Sequence, residues 1–224
     1  MNVSEAVETR RSVRAFLDRP VDAALLRSIL SKAQRAPSGG NLQPWHGIVL
    51  SGEPLQRLVD HLSGEALPQG RAGMKPEYDV YPQGLIDPYE ARRRAVGEDM
   101  YRALDIARDD KQGRLRQFSA NYRAFDAPVL MLVHMPKTMG PPQWADVGMW
   151  LQTVMLLLRE AGLDSCPQEA WAVYQHYIRE CVTIPDDHVL FCGLSIGWRD
   201  PDAAVNSFAV ARADLDESIR FEGV

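Results

Sequence analysis

Two short segments near the N-terminus hold the residues best suited to chemistry in this 224-residue chain. The first is Thr9-Arg10-Arg11-Ser12-Val13-Arg14, where three guanidiniums and a hydroxyl fall within five residues. Guanidiniums keep their charge at all ordinary pH and donate in a planar fork, so this cluster can meet a dianionic phosphate with paired, charge-assisted hydrogen bonds. The second is Ala36-Pro37-Ser38-Gly39-Gly40-Asn41-Leu42-Gln43-Pro44-Trp45. It sets small residues where a backbone can pass close to a flat ligand, then adds an amide pair and an indole. Each segment has an ordinary alternative, since arginine runs can be solvated faces and Pro-Ser-Gly-Gly-Asn can be a helix-stopping turn. Together, one helix apart, they point to a phosphorylated, planar, aromatic cofactor.

Other chemistries find no foothold. There is no G-x-G-x-x-G after a strand, no G-x-x-x-x-G-K-[ST] and no H-E-x-x-H. The five histidines are scattered, and Cys166, Cys181 and Cys192 lack C-x-x-C spacing, so neither a metal site nor a disulfide framework is expected. A net charge of −5 gives no reason to expect nucleic acid or an anionic membrane as partner. With 46% hydrophobic and 25% charged residues, the composition is that of a globular domain long enough to bury a sizeable core. Polar Asn2, Ser4 and Glu5 suggest no apolar leader, and the expectation is a cytoplasmic protein.

The elements that position these segments follow from periodicity. A short helix is predicted over 4–11. A second is capped by Asp22 and carries Leu25, Leu26, Ile29, Leu30 and Ala33 at helical spacing until Pro37 stops it. Strands are predicted at 46–50, 128–135 and 189–198, and a strand-like stretch at 218–221. Helices are predicted at 53–62, 90–106, 114–125, 143–161 and 174–181, with Gly162 ending the fourth. Between 63 and 117 the chain is rich in Gly, Pro, Tyr and Arg, which reads as a substrate cover inserted into a single domain spanning 1–224. Within it, Arg92 to Arg94 could meet an acidic substrate or form a solvated helix face. The absence of a regular βαβ repeat favours an α+β domain with a mixed, mainly antiparallel sheet flanked by helices.

The R-R-S-x-R segment followed after one helix by P-S-x-x-N-x-Q-P-W resembles the nitroreductase family of FMN-dependent oxidoreductases. Pro167-Gln168-Glu169-Ala170, Leu194-Ser195-Ile196-Gly197-Trp198, Asn206 and Arg212 extend the likeness, and the 80–117 region with Trp144–Gln152 is similar to a nitrobenzoate reductase-like subgroup. The resemblance implies an intertwined homodimer with FMN at the interface and NAD(P)H as electron donor. It assigns the phosphate to Arg10, Arg11, Ser12, Arg14 and Arg212, and the flavin ring to Pro37, Ser38, Gly39 and Asn41. It also brings Pro167, Glu169 and Ala170 to the N5 edge and Arg123 to the pyrimidine. Two positions depart from the usual pattern: Ala170 stands where many members have Gly, and Val210 where many have Lys. No side chain is needed as nucleophile or metal ligand, because the flavin carries the chemistry. The implied reaction is ping-pong reduction of a small nitroaromatic or similar electron-poor compound. Reductive dehalogenation, enoate reduction, flavin reduction and a non-catalytic flavin-binding redox module are the alternatives.

Overall fold

The run from Val129 to Pro136 forms β2, a central strand apolar on both faces because helices cover it on both sides. A computed structural model, describing residues 1–223, places it in a four-stranded sheet of order β1-β2-β4-β3, with β1 at His46–Ser51, β3 at Asp164–Gln168 and β4 at His188–Gly197. All three pairings are antiparallel. The parallel component expected of a mixed sheet is, within one chain, the isolated bridge between Ser12 and Ser165.

Side chains of β2 alternate between two cores, as the two-residue strand period demands. Leu130 and Leu132 join Leu58, Tyr122, Trp171 and Ile178 on one face. Val129, Met131 and Val133 join Leu26, Ile29, Trp150, Val154 and Leu158 on the other. The first face is covered by α3 (Gly52–His61), α7 (Ala170–Val173) and α8 (Gln175–Cys181). The second is covered by α2 (Ala23–Ala33) and the long α6 (Pro141–Glu160). The Asp22 side chain accepts from Leu25 N at 2.7 Å, so α2 begins at its sequence-predicted cap. A short α1 (Val3–Thr9) precedes the arginine segment, and α4 (Tyr89–Ala103) and α5 (Lys111–Ser119) form the 63–117 region.

Two expectations are corrected. The helix predicted over 114–125 is α-helical only to Ser119; a tight turn follows in which Ala124, Phe125 and Asp126 take φ values of 53°, 54° and 60°. Three consecutive left-handed residues without a glycine end the helix in a way composition does not announce. The strand-like 218–221 pairs with no strand among the described residues. Ile219 N donates instead to Leu215 O, because within one chain the segment has no edge to bond.

At one end of the sheet, His134 Nδ1 on β2 and His188 Nδ1 on β4 face each other at 2.8 Å, and the His46 ring on β1 stacks on His134 with centroids 5.3 Å apart. Only one of two facing nitrogens can carry a proton. Burial first, then His188, His46 and Arg179, push His134 from 6.5 down to about 4, and burial lowers His188 as well. Both rings are held neutral when folded but protonate in the unfolded chain near pH ~6.5. Their stabilisation is therefore complete above that pH and lost as pH falls toward 4. His134→Gln, which does not titrate, should shrink the fall in Tm between pH 6.5 and 4. Identical Tm–pH slopes for variant and wild type would refute the linkage.

Candidate functional site

Chain backbone, more than side chains, fixes the arginine segment. α1 ends at Arg10, whose ψ of 130° turns the chain into an extended path along the free edge of β3. Val13 N donates to Ser165 O at 3.0 Å, Leu17 N to Trp198 O at 2.8 Å and Asp200 N to Ala15 O at 3.1 Å. Asn206, buried in the C-terminal tail, accepts from Arg14 N at 2.8 Å and donates to Ala15 O and Asp200 O at 2.8 and 2.9 Å. Segment and tail are thereby locked side by side.

Between them lies a cavity of about 510 Å³ lined by Arg10, Arg11, Ser12, Arg14, Asn206 and Arg212, among others. That is within the ~300–1,000 Å³ of ordinary ligand clefts. Burial lowers the Arg10 pKa, and the like charge of Arg212, which lines the same cavity, lowers it further. Arg159 and Arg199, by contrast, both pair with Asp164. Among the described residues, Arg10, Arg11, Arg14 and Arg212 have no carboxylate within 4.0 Å. A dianion entering this cavity would relieve that repulsion.

The Cys166 thiol, also near these arginines, is pushed up to about 11 by its burial although Arg14 and Arg10 pull the other way. It stays protonated at neutral pH and is no nucleophile. β3 ends at the elbow Pro167-Gln168-Glu169-Ala170. Buried Gln168 donates to Asn121 O and Oδ1 at 2.9 and 3.1 Å and accepts from Ser195 Oγ, which leaves Glu169 exposed at the surface. A Cβ on Gly193 would overlap the Trp171 indole, so this glycine lets α7 close directly on β4.

The Ser38 turn is built separately. Gly40, Asn41 and Gln43 take positive φ of 58°, 58° and 49°. Gln43 N donates to Ser38 Oγ at 3.0 Å and Gln43 Nε2 to Asn41 O at 3.1 Å. Trp45 Nε1 donates to Gln34 Oε1 at 2.8 Å, and its ring stacks on Trp150 at 5.9 Å with planes 4° apart. Gln43 and Trp45 thus brace the turn. Gly39 N donates to both oxygens of Asp146 on α6, each at 3.2 Å.

Within one chain the structure gathers Arg10, Arg11, Ser12, Arg14 and Arg212 around one cavity, whereas Pro167, at the end of β3, and Glu169 and Ala170, just past it, do not line that cavity. Pro37, Ser38, Gly39 and Asn41 lie outside that cavity. Arg123 is elsewhere too: it forks onto Asp126 at 3.1 and 3.3 Å and lines a separate recess beside α5. Asp146 was visible in the sequence as an acidic residue four positions before Trp150 on an apolar helical stripe, and was not singled out. Among the described residues no cluster of His, Cys, Asp and Glu could hold a metal ion, and no helix is long and apolar enough to cross a membrane.

A four-stranded antiparallel sheet flanked by helices, an arginine-lined cavity and a glycine-rich turn together define an α+β domain with an anion-binding cleft. A profile of the nitroreductase family matches residues 7–198, and the chain belongs to that family. The FMN- and NADPH-dependent nitroreductase NfnB of Sphigopyxis sp. strain HMH is 55% identical, with 100% of each chain covered and a TM-score of 0.97. The chloronitrobenzene nitroreductase of Comamonas testosteroni is 35% identical, covering 98% of this chain and 96% of the relative. The 4-nitrobenzoate reductase of Pseudomonas putida is 36% identical, covering 97% and 94%.

Removing the Asn206 side chain leaves the part-buried Arg14 N–H and Asp200 O without this partner, while Ala15 O keeps its bond from Asp200 N, at a cost of about 1–3 kcal/mol for an unsatisfied group. Asn206→Ala should therefore lower the apoprotein Tm by several degrees, at ~2–4 °C per kcal/mol for a domain of this size. A thermal melt unchanged within error would show that the tail is held by other contacts.

Proposed function

We propose that this chain is an FMN-dependent oxidoreductase that reduces nitroaromatic or similarly electron-poor aromatic compounds with NAD(P)H by a ping-pong route. The observation that carries the reading is the cavity lined by four arginines lacking carboxylate partners among the described residues. A flavin phosphate brings nearly two negative charges, and guanidiniums neutralise it without surrendering their own protons. Arg10, Arg11, Ser12, Arg14 and Arg212 would hold that phosphate. When bound, FMN accepts a hydride from NAD(P)H and passes electrons on to the acceptor.

The chain's own residues have positional tasks. Pro167, Glu169 and Ala170 would offer backbone to the N5 edge of the flavin. Pro37, Ser38, Gly39 and Asn41 would seat the ring from a second subunit, since within one chain they lie apart from the phosphate cavity. Arg123 would place a cation by the pyrimidine, where it favours negative charge electrostatically. The homodimer is supported by exposed apolar side chains on α1 and the tail, including Val3, Val7, Val210, Leu215, Ile219 and Phe221, and by Val49 on the open edge of the sheet. The 63–117 region would act as substrate cover; Tyr81, Ile86 and Tyr89 are exposed there and offer apolar surface to an aromatic acceptor. Arg92 pairs with Glu217, and Arg93 pairs with Glu90 and stacks on Tyr81, so these two cations are already engaged. A cytoplasmic location is the reading of the three free cysteines.

Arg14→Ala combined with Arg212→Ala should strip FMN from the purified protein; full flavin retention would sink the phosphate assignment. A Cβ on Gly39 meets nothing closer than Asp146 Oδ2 at 3.9 Å, so the isolated chain tolerates a side chain there. Gly39→Val should accordingly fold normally yet bind FMN at least about tenfold more weakly, a loss of ~1.4 kcal/mol. Unchanged affinity would refute close approach of the ring. For activity, the flavin absorbance should bleach under anaerobic NADPH or NADH and recover on adding nitrobenzoate. Bleaching without recovery would discard that acceptor.

A further inference from the structure

Asp146 is a buried carboxylate, 4% exposed, in the second turn of α6. Among the described residues it has no cationic partner within 4.0 Å, and its hydrogen bonds come from a single donor, Gly39 N, shared between its two oxygens. A buried polar side chain with a single donor is costly to keep where an apolar one would pack equally well. The expense is explained if its acceptor oxygens do something that packing cannot. Gly39 itself is exposed, and the turn above it bonds internally through Asn41 N to Ser38 O, Leu42 N to Gly39 O and Gln43 N to Ser38 Oγ. The Asn41 side-chain amide has no partner among the described residues, while Gly39 N is drawn inward onto the carboxylate. The inward anchor thus dictates which polar groups face out.

We propose that Asp146 is the positioning residue of the flavin-binding turn: by gripping Gly39 N–H from below, it fixes the Ser38–Asn41 backbone so that Ser38 and the Asn41 amide face the flavin. The inference rests on the assignment of Ser38, Gly39 and Asn41 to the flavin ring made above. The two oxygens of Asp146 offer that one N–H an acceptor on either side, which an apolar side chain cannot. The effect should show in flavin affinity and release, not in folding.

The test uses apoprotein titrated with FMN, with flavin dissociation followed by fluorescence and apoprotein Tm measured alongside. Asp146→Leu and Asp146→Ala remove the acceptor together with its desolvation cost, so the apoprotein Tm should hold or rise. FMN affinity should fall at least about tenfold, through faster release. Asp146→Asn keeps one acceptor oxygen and should restore affinity to within about threefold of wild type. Wild-type FMN affinity in a folded Leu or Ala variant would overturn the proposal, as would failure of both to fold, which would make Asp146 a structural anchor only. Asn41→Ala separates this from the underlying reading. If Asn41→Ala weakens FMN binding but the Asp146 variants do not, the positioning role alone fails. If Asn41→Ala and Gly39→Val both leave FMN affinity unchanged, the turn is not at the flavin and the two fall together, with the arginine cavity still standing.

Discussion

The site is hung on one buried carboxylate. Asp164 opens β3 with its side chain 5% exposed, bonded to Arg199 at 2.7 and 3.2 Å and approached by Arg159 at 3.9 Å. Arg199 lies just beyond β4 and bridges Phe16; Arg159 closes α6 and donates to Thr9 Oγ1 at 3.1 Å. Four parts of the chain therefore meet at a single charge: the end of α1, the end of α6, the start of β3 and the exit of β4. Breaking a buried pair by removing one partner typically costs about 3–5 kcal/mol, because the other charge is left stranded. Here the loss would also release the arginine segment from the strand edge it follows.

The contrast between two sets of arginines is the electrostatic logic of the molecule. Arg159 and Arg199 are neutralised by Asp164 and serve architecture. Arg10 and Arg212 repel each other, and with Arg11 and Arg14 they line a cavity without a carboxylate partner among the described residues. A fold normally disperses or compensates such charge. Concentrating it beside a well-satisfied anchor keeps the arginine segment in place despite its own repulsion, so the attraction for an anion is built in before the anion arrives.

Legibility in the sequence followed the strength of local signals. α2 and α6 could be read from their 3.6-residue stripes and from Asp22 and Gly162 at their ends, and β2 and β4 from apolar runs of strand length. β3 has no strand signal of its own, because Asp-Ser-Cys-Pro-Gln has neither alternation nor β-branched residues; pairing with β4 makes it a strand, and its proline is tolerated at the sheet's edge. The left-handed turn at Ala124–Asp126 was illegible for the opposite reason, since alanine and phenylalanine normally favour continuing a helix over adopting positive φ. The stretch 218–221 alternates as a strand should, but alternation cannot supply a partner. In the site, residue type made the arginine segment and the glycine-rich turn conspicuous. What escaped were the side chains that hold them, Asp146 among them, whose importance lies in distant contacts.

Helix α6 touches both halves of the site. Asp146 near its start holds the Gly39 turn, Gln152 in its middle lines the arginine cavity, and Arg159 at its end holds Thr9 ahead of the arginine segment. Thirteen residues of helix separate first from last, roughly 20 Å of stiff rod at about 1.5 Å per residue. The helix is thus a ruler whose length and phase are part of the site. One residue inserted between Asp146 and Arg159 would lengthen it little, yet swing one anchor by about 100° relative to the other. Turn and cavity would then fall out of register although every residue in both was intact.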